Sequence, residues 1–398
     1  MRSGPRSVEP WNALVRLCER AVGNEARTGE SMSEDSRGSG RRAARRRGRR
    51  AQPRRRRGLR VAAWTAAGVV LLGGGSLGWF YFKLNGNLHS VDIDQALGKD
   101  RPPNVDNGSM DILVLGSDSR DGANSEYGAD DGGSARSDTA MIIHLYEGHK
   151  QASVVSIPRD TMLPRPACPT GKGKTSAPRQ RAQFNEAFTI GGAACAVKTV
   201  EAMSGIRMDH YIEVDFTGFK KIIDNLGGVE LTTTKPIKDD GSHLDLPAGS
   251  HKLNGEQSLG LVRTRKSVGD GGDLGRIQLQ QAFIKALIKQ VKGVGVFDSP
   301  KKLYGLADSA TKAITTDKAL GDVKSLASFA QGLQGIGAEN MHMITLPVGP
   351  DPLDRDRVAI LPKDSKMVWD ALLADQPIPA AATEHSNGDK SSAGSIVR

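Results

Sequence analysis

Aspartate and arginine occur together at several places where the sequence predicts that a strand or helix begins or ends. The clusters are Asp118 with Arg120, Arg136 with Asp138, Arg159 with Asp160, Arg263 with Arg265, and Asp273 with Arg276 and Gln280. A single pair of this kind is most simply a surface ion pair. Five clusters are harder to explain in that way, because ligand sites of α/β sheets gather just beyond strand ends.

Their side chains suit an anionic ligand and a hard cation. Several guanidiniums at one site repel each other unless an anion lies between them, and arginine makes bidentate contacts with phosphate. Nearby carboxylates suit Mg²⁺, which takes one or two of them together with substrate phosphates. The clusters therefore predict a site for a pyrophosphate with Mg²⁺.

Other common kinds of site are disfavoured. The histidines are scattered without the spacing of a zinc site, and no GxSxG sequence marks a nucleophilic serine. Residues 171–175 (GKGKT) resemble the end of a phosphate-binding loop. The glycine that this motif needs is replaced by Cys168 and no strand precedes it, so we interpret the segment as a solvated loop.

The elements that would position these clusters alternate between strands and helices. Apolar and alternating runs predict strands over 111–116, 139–146, 151–157, 210–216, 229–234 and 341–348, with a hairpin turn at 147–150. Helical spacing predicts helices over 188–204, 219–226, 274–294, 309–316 and 320–333. The mixture predicts an α/β or α+β domain with one sheet and helices on both faces.

The charge of the chain is concentrated at one end. The chain has 398 residues and a formal charge of +10, but residues 1–60 hold 18 Arg and 6 acidic residues, which leaves the remainder at −2. This distribution argues against a chain-wide nucleic-acid-binding surface, so nucleic acid is not an expected partner. Residues 1–60 are expected to be a disordered, Arg-rich tail.

An uncharged segment over residues 61–82 follows the tail and ends in Trp-Phe-Tyr-Phe. As a helix it would measure roughly 33 Å, enough to cross a bilayer. A buried soluble helix and a cleaved signal peptide explain it less well than an uncleaved signal anchor, which would leave the tail cytoplasmic and the remainder outside the cell. Gly74 and Gly78 form a GxxxG motif, which is compatible with homodimerisation of the span or with glycine-rich composition alone.

The predicted topology divides the outer part into three regions. Residues 83–109 are expected to be an extracellular stalk, 110–374 the catalytic domain, and 375–398 a disordered C-terminal tail. Cys168 and Cys195 would lie in an oxidising compartment, and we predict that they form a disulfide. Cys18 would stay reduced in the cytoplasm.

Six motifs over about residues 110–295 can be compared with known families: LVLGSDSR, RSDT, VSIPRDTML, FNEAF, YIEVDFTGFKKIIDNLGGVE and LNGEQSLGLVRTR…GDLGRIQLQQ. In these motifs and in their order, the sequence resembles the LytR-CpsA-Psr family. The resemblance implies a three-layer α/β/α domain with a central mixed sheet and an apolar tunnel for a lipid. It also implies Mg²⁺-dependent transfer of a glycopolymer, such as teichoic acid, from polyprenyl pyrophosphate to peptidoglycan in cell wall assembly.

The resemblance also implies roles for individual residues. Two aspartates would hold Mg²⁺, four arginines would clamp the pyrophosphate with a glutamine beside them, two further arginines would support substrate binding, and one aspartate would act as a base or orient an arginine. In that order they are Asp118 and Asp138; Arg159, Arg263, Arg265 and Arg276 with Gln280; Arg120 and Arg136; and Asp273. Leu279 departs from the family, which often has arginine there, and its presence predicts one cation fewer at the head-group site.

The expected reaction is attack of a peptidoglycan hydroxyl, the C6 hydroxyl of N-acetylmuramic acid, on the sugar-side phosphorus, with polyprenyl phosphate leaving. Residues 188–203 and 277–291 would contribute to the tunnel, or they are ordinary core.

Two other functions remain open at this point. The same site would serve a polyprenyl-pyrophosphate hydrolase, and the outer domain would alternatively be a non-catalytic regulator of the cell envelope.

Overall fold

The computed structural model describes residues 78–117, 137–170, 173–265, 273–293, 300–386 and 397, with residues 137, 138 and 300 described for the backbone alone. The predicted tail and residues 61–77 of the predicted span lie outside this part. Residues 78–87 are helical. Within the described part of the chain, every helix is too short or too polar to cross a bilayer.

A seven-stranded mixed sheet forms the centre of the domain, with the strand order β1-β12-β7-β2-β3-β4-β13. These strands are β1 (His89–Val91), β2 (Met110–Ser117), β3 (Ser137–Leu145), β4 (Ala152–Ile157), β7 (His210–Asp215), β12 (Ile314–Asp317) and β13 (Met341–Thr345). The pairs β1–β12, β2–β7 and β4–β13 are parallel, whereas β7–β12, β2–β3 and β3–β4 are antiparallel. The prediction of a central mixed sheet is confirmed.

Three smaller sheets lie outside the central one. The four-stranded sheet β14-β15-β5-β6 contains β5 (Thr161–Arg165), β6 (Arg179–Gln183), β14 (Val348–Pro350) and β15 (Val358–Ile360). The two hairpins consist of β8 (Val229–Thr233) with β11 (Gly249–Leu253) and of β9 (Ile237–Asp239) with β10 (Leu244–Leu246).

Besides the helical residues 78–87, the described part of the chain contains eight α-helices. They are α1 (Ile93–Leu97), α2 (Phe184–Ser204), α3 (Phe216–Asn225), α4 (Gly255–Arg263), α5 (Asp273–Gly293), α6 (Pro300–Ala313), α7 (Val323–Gly332) and α8 (Pro362–Leu373). Two that matter for the site begin at clear caps. Asp215 Oδ1 accepts from Gly218 N at 2.8 Å at the start of α3, and Asn254 forms a capping box with Gln257 at the start of α4.

Helices cover both faces of the central sheet. Successive side chains of a strand point to opposite faces, and those of β2 enter different apolar clusters. Leu113 and Leu115 pack in a cluster that includes α2, whereas Ile112 lies in another cluster, against which Phe329 of α7 packs. This arrangement is the mixed α/β fold that the sequence predicts.

The segment expected to be a stalk is folded onto the domain. β1 is an edge strand of the central sheet. Ile93 and Leu97 of α1 are buried in the apolar cluster that contains Leu113 and Leu115, which we call the main core. Arg101 is buried and forms an ion pair with Glu201 of α2. The prediction of a stalk over 83–109 is wrong for these residues, because a three-residue strand and a five-residue helix are too short to produce a visible apolar period.

The segment expected to be a disordered C-terminal tail also packs on the domain, as far as it is described. Ile378 and Ala382 are buried in the main core, and Asp375 Oδ1 lies 3.0 Å from His144 Nε2. Val397 is buried and pairs with Thr233. The prediction of disorder is therefore wrong for residues 375–386, where single apolar side chains anchor a segment of polar and small residues.

One helix prediction is wrong in part. Residues 309–316 were expected to be helical, but α6 ends at Ala313 and β12 begins at Ile314. β12 carries β-branched side chains and completes the sheet between β1 and β7, so tertiary pairing overrides the local helical pattern. α2 begins at Phe184, four residues before its predicted start, and non-helical backbone angles at Gly191 and Gly192 kink it.

Candidate active site

The register of the central sheet brings several strand ends to one edge. Ser117 at the end of β2 is opposite Asp215 at the end of β7, and the two strands are parallel. Ile157 at the end of β4 is opposite Ala140 near the start of the antiparallel β3. Thr345, at the end of β13, is opposite a residue near the end of β4. We call this set of strand ends the site edge. Three of the five predicted clusters adjoin its strands in the sequence, and the other two belong to α4 and α5.

Asp273 connects the turn after β4 to the start of α5. Its Oδ2 accepts from the backbone N of Arg159 at 3.1 Å, and its Oδ1 lies 3.9 Å from Arg159 Nε. The same oxygen forms an ion pair with Arg276, one turn further along α5, whose side chain is 3% exposed. Two of the predicted arginines therefore share one carboxylate.

The carboxylate of Asp273 is almost enclosed by protein. Burial raises the pKa of Asp273 above its ordinary value, and the positive charges of Arg276, Arg159 and Arg265 oppose that rise, whereas Asp160 adds to it. Its position as the first residue of α5 also favours the ionised form, because the helix N-terminus carries partial positive charge. The cluster thus holds three cations around a buried anion.

Arg263 and Arg265 reach the site edge from the end of α4. Arg263 lies in the last turn of that helix, and its guanidinium carbon is 5.3 Å from the ring centre of Phe216, the residue that directly follows β7. Such a contact combines stacking with a cation–π attraction. The backbone N of Arg265 donates to Asp239 Oδ2 at 2.8 Å, which fixes the chain after α4.

Gln280 and Gln281 hold α5 to the strands of the site edge. Gln280 Nε2 donates to Thr139 Oγ1 and to the carbonyl oxygen of Val262, both at 2.9 Å. Gln281 Nε2 donates to Ser156 Oγ at 3.1 Å. Gln280, predicted to lie beside the phosphates, therefore uses its amide nitrogen to join β3, α4 and α5.

Most of the predicted metal ligands and supporting arginines lie outside the residues that the structure describes. Asp118, Arg120 and Arg136 lie outside the described residues, and Asp138 is described only as a backbone position within β3. Ser117 and Ser137 are register partners, and the two aspartates follow them directly in the sequence. The described side chains contain no cluster of three acidic, histidine or cysteine groups able to hold a metal.

Leu279 lies in an apolar cluster with Phe283 and Leu261, and it is fully buried. The expectation that it removes a cation from the head-group site is therefore not supported by its position.

The structure joins Cys168 and Cys195, the two cysteines predicted to pair, with an S–S distance of 2.03 Å. Both are fully buried. The disulfide connects the chain that follows β5 to α2, beside the kink of that helix. Cys18 lies outside the described residues.

Sequence reasoning missed Arg357 and Gln183. Arg357 Nη1 donates to Asp160 Oδ1 at 2.9 Å. With the amide of Gln183 oriented to satisfy both its oxygen and its nitrogen, the oxygen accepts from Arg357 Nη2 at 2.8 Å. Arg357 lies almost 200 residues after Asp160 in a polar turn, so no local spacing could have indicated the contact.

Comparisons with known proteins identify a family and several relatives of this chain. The sequence model of the LytR_cpsA_psr family matches residues 80–369. The cell wall biosynthesis protein LcpA of Corynebacterium glutamicum is 31% identical over 62% of this chain and 51% of its own length. The polyisoprenyl-teichoic acid–peptidoglycan teichoic acid transferase TagU of Bacillus cereus is 33% identical over 56% of this chain and 68% of its own.

Solved structures share the fold. A LytR-Csp2A-Psr enzyme from Actinomyces oris superposes with a TM-score of 0.51 at 21% identity, over 71% of this chain and 95% of that one. The chain spans about half the length of LcpA, so its activity does not follow from that likeness alone. The family match, in contrast, covers most of the chain and includes the strands, the helices and the arginine cluster described above. The chain therefore belongs to the LytR-CpsA-Psr family.

Proposed function

We propose that this protein is a Mg²⁺-dependent phosphotransferase that moves a cell-wall glycopolymer from a polyprenyl-pyrophosphate carrier to a hydroxyl of peptidoglycan. The observation that carries the proposal is that Arg159, Arg276 and Arg265 place positive charge around the buried carboxylate of Asp273 at the site edge. A surplus of fixed positive charge beside a sheet edge suits a ligand with two phosphates.

The arginines would bind the pyrophosphate and stabilise the charge that develops as its bridging bond breaks. Arg263 is oriented by the ring of Phe216 and Arg276 by Asp273, so both are positioned before substrate arrives. Positioned charge of this kind needs no rearrangement during the reaction, which is why it lowers barriers effectively. The contacts of Asp273 favour an orienting role over that of a base.

The acceptor hydroxyl would attack the sugar-side phosphorus, and polyprenyl phosphate would leave. Mg²⁺, when bound, would neutralise phosphate oxygens. Asp118 and Asp138 are the residues proposed to hold it, and the pairing of Ser117 with Ser137 supports their proximity. Arg120 and Arg136 would add to the same end of the site.

The proposal includes a membrane anchor for the protein and a path for the polyprenyl chain of the donor. Residues 61–82 would anchor the protein in the cell membrane with the domain outside and the tail in the cytoplasm, and pairing of these spans would allow a homodimer. A cavity of about 380 Å³ is lined by apolar residues that include Leu163, Met203 and Ile360, and also by Arg165, Arg179 and Gln180. Leu163 lies on β5, which begins two residues after Arg159, so the cavity is a candidate for one part of the path of the polyprenyl chain.

An acceptor-dependence assay tests the proposal. The full chain in detergent micelles would receive a polyprenyl-pyrophosphate-linked glycopolymer with Mg²⁺, with or without peptidoglycan fragments, and release of polyprenyl phosphate would be measured. We expect release to depend on the acceptor and to fall about 10²-fold in Arg263→Ala or Arg265→Ala. Lys366→Ala, which removes an exposed cation from α8, is the control and should retain full activity.

Two results would contradict the proposal. Release at the same rate without peptidoglycan would identify the protein as a hydrolase of polyprenyl pyrophosphates. Absence of any turnover, together with donor binding that Arg263→Ala leaves unchanged, would favour a regulator that lacks catalysis.

A further inference from the structure

We propose that Arg357 is a positioning residue of the pyrophosphate site, which neutralises Asp160 so that the guanidinium of Arg159 is directed to the phosphates. This inference rests on the proposed function. It assigns a role to a residue that lies outside the sequence motifs of the site, on the loop between β14 and β15.

Asp160 is shared between two guanidiniums. Its Oδ1 accepts from Arg357 Nη1 at 2.9 Å, and its Oδ2 lies 3.5 Å from Arg159 Nε. Because the contact with Arg357 is the shorter one, Arg357 supplies the principal counter-charge of Asp160. Arg159 is then left less tightly bound to a carboxylate of its own turn.

The same guanidinium also braces the chain around Arg159. The side-chain oxygen of Gln183, at the end of β6, accepts from Arg357 Nε at 2.6 Å and from Nη2 at 2.8 Å. Two residues later, the backbone N of Asn185 donates to the carbonyl oxygen of Arg159 at 3.2 Å. Arg357 thus joins the two segments that flank the predicted phosphate-binding arginine.

The loop that carries Arg357 is internally fixed. Asp351 Oδ1 accepts from the backbone N of Leu353 at 2.9 Å and of Asp354 at 3.0 Å, and the backbone N of Asp351 donates to the carbonyl oxygen of Arg357 at 3.0 Å. Arg181 of β6 ties this loop to the sheet through Asp351 at 2.6 Å. A guanidinium held in this way is positioned before a ligand binds.

The ion pair between Arg357 and Asp160 should affect how tightly the site binds a pyrophosphate. The side chain of Asp160 is 19% exposed, and its charge also acts on Asp273, because it raises the pKa of that residue. Without Arg357, Asp160 would hold Arg159 more tightly and would repel an incoming pyrophosphate. Removal of the charge on Asp160 should reverse both effects.

A double-mutant cycle tests this mechanism. Affinity for a fluorescent polyprenyl pyrophosphate would be measured with the full chain in detergent micelles for Arg357→Ala, Asp160→Asn and the double variant. We expect Arg357→Ala to weaken binding about tenfold, as loss of a hydrogen bond to a charged group does, and Arg357→Ala/Asp160→Asn to recover most of that loss. Arg355→Ala is the matched control, because this exposed arginine of the same loop carries the same charge, and it should bind as the wild type does.

The outcomes separate this inference from the proposed function. If Arg159→Ala weakens binding but Arg357→Ala behaves like Arg355→Ala, the proposed function stands and the role of Arg357 is wrong. If Arg357→Ala weakens binding and Asp160→Asn gives no recovery, Arg357 does not act through the charge of Asp160 and the inference is also wrong. If the wild type fails to bind the probe, both proposals fail.

Discussion

Removal of the disulfide between Cys168 and Cys195 is expected to destabilise the domain through its unfolded state. The two cysteines are 27 residues apart. Closing a loop of that length lowers the entropy of the unfolded chain by about 12 cal/mol/K, which corresponds to about 3.5 kcal/mol at 25 °C. Both positions are fully buried, so the test uses Cys168→Ala/Cys195→Ala, because alanine introduces no hydroxyl that needs a buried partner.

The native contacts of the loop should survive the substitution. Arg165 donates to Ser176 Oγ and to the carbonyl oxygen of Ala177, both at 2.8 Å, and Asn185 remains bonded to Arg159. Hence the free energy of unfolding should fall while the affinity for donor changes little. A disulfide that instead held the site in shape would reduce both quantities together.

Equilibrium urea denaturation of the full chain in detergent micelles, followed by far-UV circular dichroism, measures the difference. Cys18→Ala is the control and should leave the transition midpoint unchanged. A double variant within about 0.5 kcal/mol of the wild type, the usual range of a neutral surface change, would refute the reasoning. Thiol trapping that finds Cys168 and Cys195 both reduced in the native protein would refute it too.

Two further predictions concern side chains that hold the sheet to its neighbours. Gln280→Leu should lower the free energy of unfolding by about 2 kcal/mol, because it removes two hydrogen bonds to half-buried acceptors; a urea midpoint equal to that of wild type would contradict this. For His144, burial lowers the pKa, but the hydrogen bonds and charges of Asp111 and Asp375 outweigh it and raise the pKa above 6.5. The folded state therefore binds this proton more tightly, so its contribution to stability is complete below pH 6.5 and is lost as pH rises through the raised pKa. His144→Gln should flatten that part of the stability profile, and an unchanged slope in urea titrations above pH 6.5 would contradict the assignment.

The elements with long apolar patterns could be predicted from sequence. The strands around Leu113, Ile142 and Val155 are largely buried apolar runs, a pattern that predicts strands, and the turn at 147–150 does join β3 to β4. Most of the missed elements are short. β1, β5 and β6 owe their form to neighbouring strands rather than to their own residues, so local pattern does not reveal them.

The contacts of the candidate site could be predicted where the two residues lie close together in the sequence. They could not be predicted where the two residues are far apart in the sequence. The pairing of Asp273 with Arg276 follows from helical spacing at i and i+3. The contact of Asp160 with Arg357 depends on how the β14–β15 loop folds back onto the turn after β4. The expectation that Leu279 leaves one cation fewer at the head-group site came from the family resemblance, and its side chain lies in an apolar cluster.

The fate of the sugar-side phosphate tests the central proposal most directly. A polyprenyl-pyrophosphate-linked glycopolymer labelled with ³²P at that phosphorus would be incubated with the full chain, Mg²⁺ and peptidoglycan, and the products would be separated into wall, lipid and free phosphate. Transfer by attack on the sugar-side phosphorus predicts that the label is found in the peptidoglycan. Muramidase digestion should then release a fragment in which the labelled phosphate is bonded to muramic acid. Label that remains with the lipid or appears only on free glycopolymer would contradict the account.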